Sequence, residues 1–374
     1  MREDWGLAYR RVCADSGPAP VEIAFMTPRQ RVLKTFAFEP TDRPAYDLME
    51  GQTWPELMDY FRASHGCASD ADVLDELDTD FRWGFSRPAG GGGAAAPAAS
   101  EDRDATYTFA VAHGPLAEAT TVAEVEAHSW PDPADREAPD FAAMRRAYPD
   151  HALVFGTGWQ PLFWGTCDLF GVEEALIKMM TLPAVYEAAV RHRHEYTMGL
   201  LRLLLPAVEP YADICWLGDD FASQQSMMLS PDHWRRFIKP PLAEQVRFAR
   251  DRGLLVLYHS CGAVRPILGD LIDIGVNGLL VFQTSARGMD AESIAREFGG
   301  RLAFYGGIDV QQLLSFGTPD QVRAEVERNC RAFARCGGYV VANSHHCVAT
   351  IRGELIEAMC GAARERRAGC ARRR

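Results

Sequence analysis

At 374 residues the chain exceeds a common single domain but fits one α/β barrel with insertions, and its 47% hydrophobic and 24% charged residues are ordinary globular values. A net charge of −12 argues against a nucleic-acid surface, because phosphate binding needs a clustered basic field. The only basic run is the terminal Arg364–Arg374 segment, read as a solvated end, and the apolar run Leu200–Ala207 is far too short to span a bilayer.

The chain opens on MREDWGLAYRRVCADSG, which lacks the apolar stretch of a signal peptide. Ten cysteines lie scattered without a C-x-x-C pair, which suits a reducing compartment, so a cytoplasmic location is expected. Residues 1–26 read as an N-terminal extension. The first helix start is Thr27-Pro28, with Thr27 as N-cap and Pro28 at the first helical position, leading into a helix over Arg29–Phe38. The stretch Pro88–Ser100 (PAGGGGAAAPAAS) offers no core and reads as a flexible surface loop. Its replacement by a short Gly-Ser linker is expected to leave the melting temperature nearly unchanged; a large drop would show that the segment packs.

Strand-like apolar runs then alternate with amphipathic helical segments, the pattern of βαβ units and a parallel sheet. Strands are predicted near Pro44–Met49, Thr79–Trp83, Ala152–Gly156, Ile214–Leu217, Leu254–His259, Gly278–Phe282, Leu302–Gly306 and Tyr339–Ala342. Helices are predicted over Val172–Met179, Leu182–Leu205, Pro231–Arg250, Ala263–Ile274, Asp290–Phe298, Pro319–Arg335 and Arg352–Arg367. Eight parallel strands favour a closed (β/α)8 TIM barrel over residues 27–367, ahead of a basic tail at 368–374; a doubly wound open sheet is the alternative.

The reactive side chains fall at strand ends. His259 and Cys261 follow LLVLY, and period 2 puts both on one face, where they can share a metal. His345, His346 and Cys347 follow YVVANS at the end of the eighth strand. His259, Cys261 and His345 would make a three-ligand zinc site with one open position, with Cys347 the competing third ligand. The alternative is a buried cysteine and two hydrogen-bonded core histidines. Asp219 and Asp220 end the fourth strand and could move a proton or hold substrate, since adjacent carboxylates push one pKa upward, or either could cap a helix. Gln283 ends the sixth strand, and Asp309 follows the seventh, where it binds substrate or caps the next helix. Trp159, Gln160, Phe163 and Trp164 follow the third and line a substrate pocket or simply pack. There is no P-loop, nucleophile elbow or dinucleotide fingerprint, and the Gly90–Gly93 run lacks the strand and helix that a phosphate cradle needs.

Five segments together resemble the uroporphyrinogen decarboxylase-like superfamily, which includes the cobalamin-protein:thiol methyltransferases. They are TPRQRVLKTFAFEPTDRP, GDDFASQQSMMLSPDHWRRFIKP, YHSCGAVRPIL, FYGGIDVQQLL and ANSHHCVATIRGELIEAM, spread from Thr27 to Met359. The resemblance implies the same barrel. The haem-pathway decarboxylase carries an R-Q-A-G-R type motif after its first strand; the matching stretch here is Asp47-Leu48-Met49-Glu50-Gly51-Gln52, whose carboxylates would repel a polycarboxylate. The H-x-C at His259 and Cys261 looks like the zinc motif of the methyltransferase branch, which adds a Cys from the last strand where this chain has His345. The resemblance therefore implies a zinc-dependent enzyme of small molecules, with methyl transfer expected and a corrinoid protein or corrinoid as partner or substrate. A lyase or decarboxylase on the same barrel and a non-catalytic corrinoid- or small-molecule-binding barrel are the rivals, and a homodimer is an assembly the sequence allows.

Overall fold

The computed structural model describes residues 25–89, 113–347 and 350–366. The tail at 368–374, nearly all of the 1–26 extension and most of the Pro88–Ser100 loop lie outside the described residues. The eight main strands are β1 (Ala45–Tyr46), β2 (Phe81–Phe85), β3 (Ala152–Gly156), β4 (Ile214–Gly218), β5 (Leu255–His259), β6 (Gly278–Phe282), β7 (Ala303–Ile308) and β8 (Tyr339–Asn343). All pair in parallel, in the order β1-β8-β7-β6-β5-β4-β3-β2. Between β1 and β2 the connection is made by Asp80, whose N–H donates to the Tyr46 carbonyl (3.1 Å) while its carboxylate accepts from the Tyr46 N–H (2.9 Å). The architecture is a (β/α)8 barrel, and the open-sheet alternative falls.

Period 2 sorts each strand between two cores. Ala45, Val154, Ile214, Trp216, Leu257, Leu280, Tyr305 and Val340 pack inside the barrel, whereas Tyr46, Leu153, Cys215, Tyr258 and Val341 pack outward under the helices. Helix Pro28–Phe36 starts as expected, with Thr27 and Gln30 forming a reciprocal capping box and Pro28 in the first turn.

Two predicted helices are interrupted. Pro231–Arg250 contains a π turn at Trp234–Ile238, just before Pro240 and Pro241, which have no N–H to continue the usual ladder. Ala263–Ile274 instead begins as a 3₁₀ turn at Arg265–Ile267 around Pro266 and becomes helical over Leu268–Asp273. Helices at Pro55–His65, Asp70–Glu76, Phe141–Ala147 and Phe163–Phe170 were not apparent in the apolar pattern. Among the described residues, no helix is long and apolar enough to cross a membrane.

Candidate metal centre

Because all eight strands run the same way, their C-terminal ends share one mouth. His259 is the last residue of β5; Asp219 and Asp220 follow β4, Gln283 follows β6, and His345 and His346 follow β8. The inward phase of β5, set by Leu255 and Leu257, carries His259 and Cys261 to the interior face. Glycine on the neighbouring strand makes this possible: a Cβ on Gly218 would lie 2.8 Å from the His259 Cβ.

Asp220, His259 and Cys261 converge, with one donor atom from each within 4.8 Å of the others. The Cys261 N–H and thiol both donate to Asp220 Oδ1, at 3.0 and 2.8 Å, and His259 Nε2 lies 3.7 Å from the same oxygen. The other ring nitrogen of His259, Nδ1, donates to Glu50 Oε1 at 2.7 Å. This bond leaves the Nε2 lone pair aimed at Asp220 and Cys261, so a carboxylate fixes the tautomer that can ligate a cation. Nitrogen, oxygen and sulfur donors gathered in this way suit zinc.

Glu50 is buried and sits in a left-handed turn at φ +55°, next to Gly51. Its second oxygen faces His346 Nε2 at 3.2 Å. Burial works to raise this carboxyl, but the His346 and His259 imidazoles outweigh it and hold Glu50 well below the usual carboxylate range. Burial lowers His259, yet Glu50 raises it above its ordinary value. Burial and the adjacent Asp220 push the Cys261 thiol well up, so without a cation it remains a hydrogen-bond donor. Glu50 was named in sequence only as a replacement for an arginine motif; the signal for its role was the cluster of acidic residues directly after the first strand.

The other predicted site residues divide. The His345 ring centre lies 6.4 Å from that of His259, at the same mouth, and burial with the His346 and His259 imidazoles pushes His345 down to about 3. Cys347 is fully buried, 3.6 Å from Asn343 Nδ2, and its thiol is pushed up to about 12 by burial. It does not join the converging donors. Asp219 is buried, and its two oxygens accept the Phe163 and Trp164 N–H groups at 2.6 and 3.0 Å, opening helix Phe163–Phe170. Burial pushes it to about 7, but both oxygens are committed to helix donors, and Asp220 is the carboxylate that faces His259 and Cys261. Asp309 Oδ2 accepts the Gln312 N–H at 2.8 Å and the Leu313 N–H at 3.3 Å, the capping arrangement.

Gln283 acts as a clamp: its Oε1 accepts the Gly262 N–H at 2.7 Å and Gln224 Nε2 at 3.0 Å, fixing the loop after Cys261. A register shift between Leu280 and Phe282 against β7, with Val281 at φ +73°, precedes it and re-aims the strand end. Trp159 remains 39% exposed with its ring 5.1 Å from His259, whereas Phe163 is packed in the outer core. Trp164 is half-buried on helix Phe163–Phe170, and Gln160 Oε1 lies 3.5 Å from Arg193.

A parallel α/β barrel with a mixed donor set at its mouth is the class these features define. The family model described as uroporphyrinogen decarboxylase (URO-D) matches residues 167–366, more than half of the chain, and the chain belongs to that family. Over 120 residues it is 31% identical to the methylcobamide:CoM methyltransferase MtaA of Methanosarcina barkeri, covering 32% of this chain and 33% of that protein. The MtaA of M. barkeri strain Fusaro is 28% identical over 120 residues with the same coverage. The chain thus matches about a third of the length of these curated relatives. A solved methyltransferase from Methanosarcina mazei superposes with a TM-score of 0.61 at 20% identity, covering 91% of this chain and 99% of that one, which shows a shared fold.

Proposed function

We propose that the chain is a zinc-dependent methyltransferase of the URO-D family, moving a methyl group to or from a small molecule or a corrinoid. The observation that carries this reading is the convergence of Asp220, His259 and Cys261 at the barrel mouth. His259 Nε2 and Cys261 Sγ would hold the metal with Asp220 Oδ1, and His345, outside that converging group but with its ring centre 6.4 Å from that of His259, is the competing third ligand. The metal would supply Lewis acidity, lowering the pKa of a bound thiol or water and polarising oxygen. Glu50 holds His259 in the ligating tautomer, and Asp220 accepts the hydrogen bond of the Cys261 thiol in the absence of a cation. The methyltransferase names of the relatives and the H-x-C motif favour methyl transfer over the lyase reading.

The test is zinc content by mass spectrometry of protein purified without chelator, together with a methyl-transfer assay from methylcobamide to a thiol. About one zinc per chain and transfer that stops on chelation are expected. No zinc under these conditions would sink the proposal. Asp220→Asn against His345→Ala identifies the third ligand. Uroporphyrinogen should not be decarboxylated, because the buried carboxylates Asp47 and Glu50 stand where a polycarboxylate would need cations.

A further inference from the structure

Phe81, Trp83 and Phe85 all take the inward phase of β2, and their exposure rises toward the strand's C-terminal end: Phe81 is buried, whereas Trp83 and Phe85 are only half-buried. An inward-facing side chain that keeps exposure must face an opening, so the interior opens from Trp83 upward. The wall of that opening is aromatic. Trp83 stacks on Phe85 with ring centres 5.9 Å apart, Phe85 meets Trp216 edge-on at 5.4 Å, and Trp216 lies 6.0 Å from both Trp159 and His259. Ring contacts therefore run unbroken from β2 to His259, with Trp216 packed beneath and Trp83, Phe85 and Trp159 keeping exposure at the opening.

Behind it sits Asp47, fully buried on the inward phase beyond β1. Its Oδ2 accepts both Trp83 Nε1 and Tyr305 Oη at 2.8 Å, while its Oδ1 is buried with no hydrogen-bond partner. Burial pushes Asp47 up to about 7 against the hydrogen bonds from Trp83 and Tyr305, and in its ionised form it pushes electron density into the indole whose N–H it accepts, which strengthens the negative π face. Nearby guanidinium groups are turned elsewhere. Arg82 donates to the Thr79 and Phe81 carbonyls on the outer side of β2, and Arg136 at the rim donates to Ser86 Oγ at 2.9 Å. The side-chain partners of Asp47, Glu50 and Asp220 include Trp83, Tyr305, His259, His346 and Cys261.

We propose that this mouth recognises a small organic ammonium ion, an alkylated amine resting on the exposed rings of Trp83, Phe85 and Trp159, with Asp47 as the positioning residue behind Trp83. The proposal rests on the methyltransferase reading in that it names the substrate class of the same site. Aromatic faces backed by a carboxylate favour a poorly hydrated cation over a neutral molecule of equal shape, and the buried carboxylates oppose an anion.

Three probes of one shape test it by calorimetry on the full chain: choline, the neutral 3,3-dimethylbutan-1-ol and the anionic 3,3-dimethylbutyrate. Choline is expected to bind at least about tenfold tighter than the alcohol, and the anion more weakly than either. Asp47→Asn should collapse the cation's advantage while the alcohol's affinity and the zinc content stay unchanged. Should Asp47→Asn fail to fold, Trp159→Leu at the half-exposed rim carries the same test, with a several-fold loss for choline alone. Equal binding of choline and alcohol, no saturable choline binding, or a preference untouched in a folded variant overturns the subsite. Zinc retained without cation preference refutes this inference alone; cation preference in a chain that never takes zinc refutes the metal reading alone.

Discussion

Glu50→Gln is expected to weaken zinc binding by about 10–100-fold, and His259→Ala to abolish it. Glu50 Oε1 accepts the Nδ1 proton of His259, which is what leaves Nε2 free to ligate. Glutamine keeps the shape but loses the charge, and its amide can turn an NH2 toward Nδ1. That arrangement places the imidazole proton on Nε2, the wrong nitrogen for the site. Competition with a chelator of known affinity measures the change, and circular dichroism shows whether the fold survives. Unchanged affinity in folded Glu50→Gln would remove Glu50 from the site. The sign with pH follows from the same contacts. Glu50 raises His259, and burial with Asp220 raises the Cys261 thiol, so both bind protons more readily than their free counterparts. Metal must displace those protons, and uptake is therefore expected to weaken as pH falls.

Asp80→Ala is expected to destabilise the barrel by roughly 3–5 kcal/mol, the cost of leaving buried cations without their partner. Asp80 is fully buried and accepts Arg31 Nη1 at 2.5 Å, Arg43 at 2.8 and 3.1 Å, and the Tyr46 N–H. Arg31 is itself only 1% exposed, and Asp42 supplies its remaining carboxylate contacts at 2.7 and 2.9 Å. One carboxylate thus ties the first helix, the loop before β1, β1 and β2 at the seam where the barrel closes. Urea unfolding measures the loss, and a shift below about 1 kcal/mol, the range of a surface pair, would show the network to be dispensable.

The strands were readable from sequence because each is an apolar run bounded by helical periodicity, and Ala152–Gly156 and Gly278–Phe282 match residue for residue. His259 and Cys261 were readable for the same reason, since a spacing of two on an inward-facing strand fixes a common side. Adjacency gives no such guide at Asp219 and Asp220. Which of two consecutive carboxylates turns inward depends on helix Phe163–Phe170, whose N–H groups take Asp219. That helix was hidden because its aromatic residues suggest a pocket as readily as a packed turn. Glu50 was missed because its partner His259 is 209 residues away and its left-handed turn leaves no pattern in a non-glycine residue.

The strand pairing has a consequence for biosynthesis. Two-residue β1 is held by β8, and the Met49 N–H beside Glu50 donates to Asn343 Oδ1 across 294 residues of chain. During synthesis, the β4–β5 pair that carries Asp220, His259 and Cys261 can form long before β8 emerges. Glu50 gains its anchor only when the last strand docks beside the first. A nascent or truncated chain lacking β8 would therefore carry His259 without the Glu50 carboxylate that orders its ring. On the proposed zinc reading, high-affinity metal capture would wait for β8 to dock, which delays loading until the barrel can close around the ion.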